Sequence, residues 1–162
     1  MIRMNPYAAF LGTRDPLEVV SQTGHELTAL MARLGPEGLK RSLAPGKWSA
    51  AAIICHLADC EIAFAFRLRQ TLAEPAYVIQ PFDQEAWARP YSRLQAALAL
   101  ETFGALRRWN LALLEGVAPE DFNRKVTHPE RCGMTFRTLV ETMAGHDLNH
   151  LRQLETIAGA AA

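Results

Sequence analysis

Gly145-His146-Asp147-Leu148-Asn149-His150-Leu151-Arg152-Gln153-Leu154 is the stretch on which the reading of this chain turns. A spacing of four residues stacks the imidazoles of His146 and His150 on one face of an α-helix, one turn apart. Outward from them, Leu139, Met143, His146, His150 and Ile157 step by three, four or seven, so the histidines continue an apolar stripe that faces a core. An imidazole buried there without a partner costs several kcal/mol, so each ring must find a hydrogen bond or a metal. The spacing suits two ligands of one divalent ion, and it equally suits two core histidines satisfied by carboxylates or water. Zinc-protease chemistry is a poor match, because Asp147 stands where that motif carries a glutamate and Leu148 follows it.

Three further helices surround this one. Asp15-Pro16-Leu17-Glu18 supplies an N-cap, a proline in the first turn and a capping-box glutamate. Leu17, Val20, Leu27, Leu30, Met31 and Leu34 then carry a helix to a stop at Gly35-Pro36. Ser49 caps a second helix, whose stripe of Ile53, Ile54, Leu57, Cys60, Phe64 and Leu68 ends before Pro75. The third begins near Tyr91 or Ser92 and runs through Leu94, Leu98, Leu106, Trp109 and Leu113 to Gly116. Thr135 caps the fourth, which reaches about Ala158. The connection between helices two and three is long and holds Pro75, Pro81 and Pro90, with a helical turn expected around Gln84 to Arg89. Between helices three and four the alternation is weak, with some potential for a short hairpin before Met134. The expected fold is an all-α four-helix bundle with a long crossover connection between helices 2 and 3, in one domain over 1–162 with peripheral tails at 1–14 and 159–162.

Composition narrows the function classes. Among 162 residues, 17 basic side chains balance 17 acidic ones, so no field steers the chain toward nucleic acid or an anionic membrane. No apolar run approaches a membrane span, and Met1 to Pro6 carry no secretory signal pattern. Cys55, Cys60 and Cys132 have neither CxxC spacing nor an even number, which argues against a disulfide framework or a thiolate zinc site. A cytoplasmic protein acting on a small molecule is the expectation.

A metal needs a third ligand. His25 shares the polar side of its helix with Glu18, Ser21, Gln22 and Thr28 and is expected on the surface. His128 precedes Pro129 in a loop, either exposed or closing over a site. His56 borders the apolar stripe of helix two, three residues after Ile53 and four before Cys60. From spacing alone, His56, His146 and His150 form one cluster or are three separately satisfied core residues.

At these residues the chain resembles the DinB-like (DinB/YfiT) superfamily of metal-dependent enzymes. The matching features are Lys47-Trp48-Ser49 leading into Cys55-His56-Leu57-Ala58-Asp59, the segment Gln80-Pro81-Phe82-Asp83-Gln84-Glu85-Ala86-Trp87, His128-Pro129, and the final-helix run from Gly145 to Leu154. The resemblance implies a four-helix bundle and a divalent metal, nickel or zinc, on His56, His146 and His150. It further implies a thiol S-transferase using a low-molecular-weight thiol such as bacillithiol, or a hydrolase, and a homodimer. A non-catalytic bundle binding a metal or small ligand is the alternative.

Three neutral imidazoles leave coordination positions open to water or substrate, which marks a catalytic rather than a structural site. Around it, Asp59 is placed to accept a ring N–H from His56 or a facing histidine, or else to form a surface salt bridge. Glu61 reads as an ion-pair partner rather than a general base. Asp147 faces away from the ligand beside it and is expected to act with another element. Arg152 can clasp an anionic group or pair with a carboxylate. Asp83 and Trp87, with Phe82, are candidate pocket walls on the crossover, although loop aromatics also serve as packing anchors. Cys55 and Cys60 read as small core residues.

Overall fold

The computed structural model describes residues 5–159, apart from the side chain of Cys132. Four long helices dominate it: α2 (Pro16–Lys40), α3 (Ala50–Ala73), α5 (Ala96–Glu115) and α6 (Phe136–Gly159). Short elements join them: α1 (Ala8–Leu11), α4 (Gln84–Ala88), 3-10 turns at Tyr91–Arg93 and Pro119–Asn123, and strands β1 (Lys125–His128) and β2 (Cys132–Thr135).

The expected caps are in place. The Asp15 carboxylate accepts from the backbone N–H groups of Leu17 and Glu18 at 2.7 and 3.1 Å, Ser49 Oγ from Ala52 at 3.2 Å, and Thr135 Oγ1 from Thr138 at 3.2 Å. Two boundaries differ from the expectation. The first helix does break at Gly35, where φ is +59°, but the chain winds on through Pro36 to Lys40, because proline is at home in the first turn of a new helical segment. The third helix opens later than Tyr91. Residues 91–93 form a 3-10 turn, Leu94 and Gln95 are extended, and regular helix starts at Ala96.

Side-chain pairs give the helix directions. Glu61 meets Arg107 and Arg69 meets Asn110, so α3 and α5 run parallel. His56 meets His146, while Phe64 and Leu68 share a cluster with Leu139 and Met143, so α6 runs antiparallel to α3. Around the bundle, α2 packs against α6 and α5, and α3 packs against the same two helices from the other side. Parallel neighbours α3 and α5 require the chain to travel back along the bundle between them. Glu74 to Gln95 is that crossover.

The crossover is tied down along its path. The Arg67 guanidinium donates to Gln80 O at 3.2 Å, and Tyr91 donates to Asp59 at 2.7 Å. Ile79 N–H donates to Thr127 O at 2.8 Å, and Thr127 N–H to Tyr77 O at 3.0 Å, which adds residues 77–79 alongside β1. On its other side β1 pairs antiparallel with β2, Val126 opposite Met134. The hairpin anticipated in weak form is therefore real, and Val126 and Met134 turn its apolar face into the core. Two apolar clusters fill the bundle, one around Val20, Phe64, Leu68 and Phe136 and the other around Leu27, Ile53, Phe103 and Leu154. Among the described residues, no helix is long and apolar enough to cross a membrane.

Candidate metal centre

Between those two apolar clusters lie three imidazoles. His56 comes from the second turn of α3, and His146 and His150 from successive turns of α6. All three are buried, at 2%, 4% and 6% exposure, and one ring nitrogen from each lies within 4.8 Å of the other two. Nε2 of His56 is 3.1 Å from Nε2 of His146. Three nitrogens bonded to one ion at ~2.0–2.1 Å stand roughly 3.3–3.5 Å apart in tetrahedral geometry, so small ring adjustments bring this set onto a single divalent ion.

The protonation states suit that chemistry, since a metal binds the neutral ring. Burial, with the neighbouring His150, lowers the His56 pKa to about 3. Burial together with His150, His56 and Arg107 lowers that of His146 well below the ordinary value. For His150 burial also lowers it, against the opposing effects of Gln153 and Asp147. His150 Nδ1 lies 2.9 Å from Gln153 Oε1. An amide oxygen only accepts, so the proton sits on Nδ1 and Nε2 is left bare. His146 Nδ1 is buried without a hydrogen bond, 4.0 Å from Asp147 Oδ1.

Directly behind the histidines runs a buried ionic network. Arg107 grips Glu61 with two parallel bonds, Nε to Oε1 at 2.9 Å and Nη2 to Oε2 at 2.8 Å. Its Nη1 donates to Asp147 Oδ2 and to Val20 O, each at 2.8 Å. Thr23 donates to the same Asp147 oxygen at 2.9 Å, and Asn110 to Glu61 at 2.8 Å. Burial alone would lower the Arg107 pKa, yet Asp147 and Glu61 more than reverse this and raise it. The network joins all four long helices, and Glu61 and Asp147 each adjoin a residue of the site, Cys60 and His146. Two carboxylates against one guanidinium leave an excess negative charge beside the cluster, which favours a cation there.

The supporting residues divide. Asp59 does not reach the histidines; the crossover's Tyr91 claims its carboxylate. Asp83 is exposed and caps α4 through Glu85 and Ala86. Trp87 is 39% exposed and packs on Phe82, ring centroids 4.6 Å apart, in the anchoring role; Phe82 itself does line the pocket. Arg152 faces a different cleft, shared with Arg14, Arg33 and Glu26. Glu61 and Asp147 act through Arg107, as ion-pair partners. His25 is exposed, and His128, at the end of β1, is buried and lines a cavity that reaches His146.

Several site residues escaped the sequence reading. Cys60 Sγ lies 3.4 Å from His56 Nε2 and 3.7 Å from His146 Nε2, at the floor of that cavity. Burial raises the pKa of its thiol, which keeps it protonated in this environment. Tyr7, ahead of α1, sets its ring edge-on to His146 with centroids 5.2 Å apart. Trp48 covers His56 with centroids 4.7 Å apart. Only Cys60 and Trp48 carried a legible signal, through their spacing from His56.

A sequence profile described as the DinB superfamily matches residues 20–154. A protein of Oceanobacillus iheyensis named "Putative metal-dependent hydrolase" is 30% identical over 125 residues, 76% of this chain and 73% of the relative. One of the same name from Bacillus cereus is 23% identical over 142 residues, 87% of this chain and 82% of its own. Among solved structures, YfiT from Bacillus subtilis, described as a probable metal-dependent hydrolase with an unusual four-helix bundle topology, superposes with a TM-score of 0.83 at 20% identity, over 90% of this chain and 85% of that one.

Proposed function

The chain belongs to the DinB superfamily, and from that premise we propose that it is a metal-dependent hydrolase whose divalent ion is held by His56, His146 and His150. The observation that carries this reading is the convergence of three buried, neutral imidazoles from two helices, their ring nitrogens within 4.8 Å of one another. Nickel and zinc both suit an imidazole donor set. The name shared by the two relatives, "Putative metal-dependent hydrolase", points the same way.

A divalent ion bound there supplies Lewis acidity and lowers the pKa of a water or thiol toward neutrality. The chain's own residues do the rest. Gln153 holds the His150 ring with its proton on Nδ1, and the Glu61–Arg107–Asp147 network fixes the α3 and α6 backbones from which the ligands project. Tyr7 and Trp48 pack against the rings of His146 and His56. The substrate is a small molecule, because the cavity reaching His146 measures about 160 Å³.

A second reading, transfer of a low-molecular-weight thiol, has one observation in its favour. A separate cleft of about 500 Å³, lined in part by Lys47, Trp48 and Gln153, reaches His150, so the cluster is approached by two cavities and a two-substrate reaction has room for both partners. The test is elemental analysis of purified protein, followed by assays of ester and amide hydrolysis and of thiol conjugation to an electrophile. About one equivalent of metal, lost in His150→Ala, and metal-dependent turnover in one assay are expected. Protein that takes up no divalent metal at neutral pH sinks both readings.

A further inference from the structure

The cavity that ends at His146 and Cys60 is walled by α3, the crossover and the hairpin. Two arginines give it a charged lining. Arg67, partly buried on α3, and Arg131, partly buried in the hairpin turn, both face it, and neither has a carboxylate within 4.0 Å among the described residues. Among the described residues the Arg67 guanidinium makes one protein hydrogen bond, the 3.2 Å contact to Gln80 O, and it lies over the Phe82 ring at 5.5 Å. Glu130, exposed at the cavity's edge, is the one acidic residue in the lining.

Two guanidinium groups beside one small cavity repel each other and want an anion between them. Burial lowers the Arg67 pKa; Tyr77 and Cys60 act against it, and Arg131 adds to the lowering. Burial lowers that of His128, with Arg131 and Arg67 acting in the same direction and Glu130 against them. His128 is therefore a neutral ring. Its Nδ1 accepts from Glu130 N–H at 3.2 Å, which leaves its proton on Nε2 as a further donor in the lining. Donors thus predominate at the wall, and the histidine cluster lies at the floor.

We infer that this cavity seats an oxyanion head group of the substrate, a carboxylate or a phosphate, between Arg67 and Arg131, with the bond to be cleaved directed at the histidine cluster. The inference rests on the cluster being the reacting centre. A planar guanidinium fork matches either oxyanion with paired hydrogen bonds, and burial makes each bond stronger than at the surface. Hydrolysis of a small carboxylate- or phosphate-bearing ester or amide is the reaction class that results. The oxygen of water bonds to the acyl carbon or the phosphorus, the bond from that centre to the leaving oxygen or nitrogen breaks, the leaving atom takes up a proton from the water, and the anionic end stays bound between the arginines.

Binding of acetate, inorganic phosphate and neutral acetamide is measured by titration calorimetry at constant ionic strength, on metal-free protein and on protein loaded with zinc. Metal content is determined alongside. One oxyanion binds and acetamide does not; the preferred one of the two identifies the head group. Arg131→Gln weakens that binding at least about tenfold, and Arg131→Lys recovers part of it, while the zinc stoichiometry is unchanged. Arg67→Gln does the same, with circular dichroism confirming that the crossover tether is dispensable for folding. Equal binding of acetamide, or affinity unaltered in Arg131→Gln, overturns the inference. Oxyanion binding that persists in protein unable to take up zinc upholds the cavity and instead removes the metal reading.

Discussion

Nε2 of His56 and Nε2 of His146 stand 3.1 Å apart, although ninety residues separate them in sequence. Two bare lone pairs at that distance repel, so the pair needs either a proton on one nitrogen or a cation shared between them. Burial opposes a charged ring, which leaves a neutral hydrogen-bonded pair in metal-free protein and a shared ion in the loaded form.

The first prediction concerns pH. In the unfolded chain these three histidines titrate near ~6.5, whereas folding lowers all three and takes His56 to about 3. Between those values the unfolded state holds more protons, so stability rises with pH. Metal-free protein should keep its full stability above about pH 7 and lose on the order of 2–4 kcal/mol by pH 5.5. Urea midpoints measured across that window check this, and a flat profile contradicts the burial of neutral rings.

Removing the charge behind the site should be costly. Arg107→Met strands Glu61 and Asp147, 1% and 2% exposed, without their cation. Loss of one partner from a buried ionic cluster costs roughly 3–5 kcal/mol. Chemical denaturation at pH 7 measures it, and an unchanged midpoint shows that water already reaches the two carboxylates.

The hydrogen bond from His150 to Gln153 has a separate consequence. Gln153→Leu removes the acceptor that places the proton on Nδ1, without altering any of the three imidazoles. Metal affinity should fall about 10–100-fold, as for other partners of ligating histidines. Competition with a chromophoric chelator reads the dissociation constant; equal affinity would mean that Gln153 plays no part in holding the ring.

Close approach of α1 to α6 depends on Gly145. A Cβ there would lie 2.6 Å from Tyr7 O and 2.7 Å from Tyr7 Cβ, so backbone must move. Gly145→Ala should cost about 1–3 kcal/mol and loosen the cover over His146. Trypsin cleavage at exposed Arg14 should accelerate in the variant relative to wild type. Equal cleavage rates would show that α1 accommodates the methyl group by a small shift.

Much of the fold was legible because its signals are local. Asp15, Ser49 and Thr135 announce their helices by side-chain hydrogen bonds to the next few N–H groups, and these form wherever the rest of the chain lies. The late start of α5 was illegible because Tyr91 is held by Asp59, a contact across the crossover that outweighs the helical pattern running from Ser92. The partner of Asp59 stayed open for the same reason: its spacing from His56 was visible, whereas Tyr91, which donates to it, is thirty-two residues away. The hairpin was faint because two short strands gain most of their stability from the crossover and core beside them.

From the residues alone came four amphipathic helices, their caps, and two histidines on one face of the last of them, since helical periodicity is a property of neighbours in sequence. Tertiary structure decided that His56 meets that pair, that Arg107 neutralises Glu61 and Asp147 behind it, and that Tyr7, Arg67 and Arg131 gather at one cavity. These are contacts between elements, and no local pattern encodes how α3, α6 and the crossover are positioned against one another. The packing of the buried apolar faces does, and it brings the imidazoles and the charges together as a result.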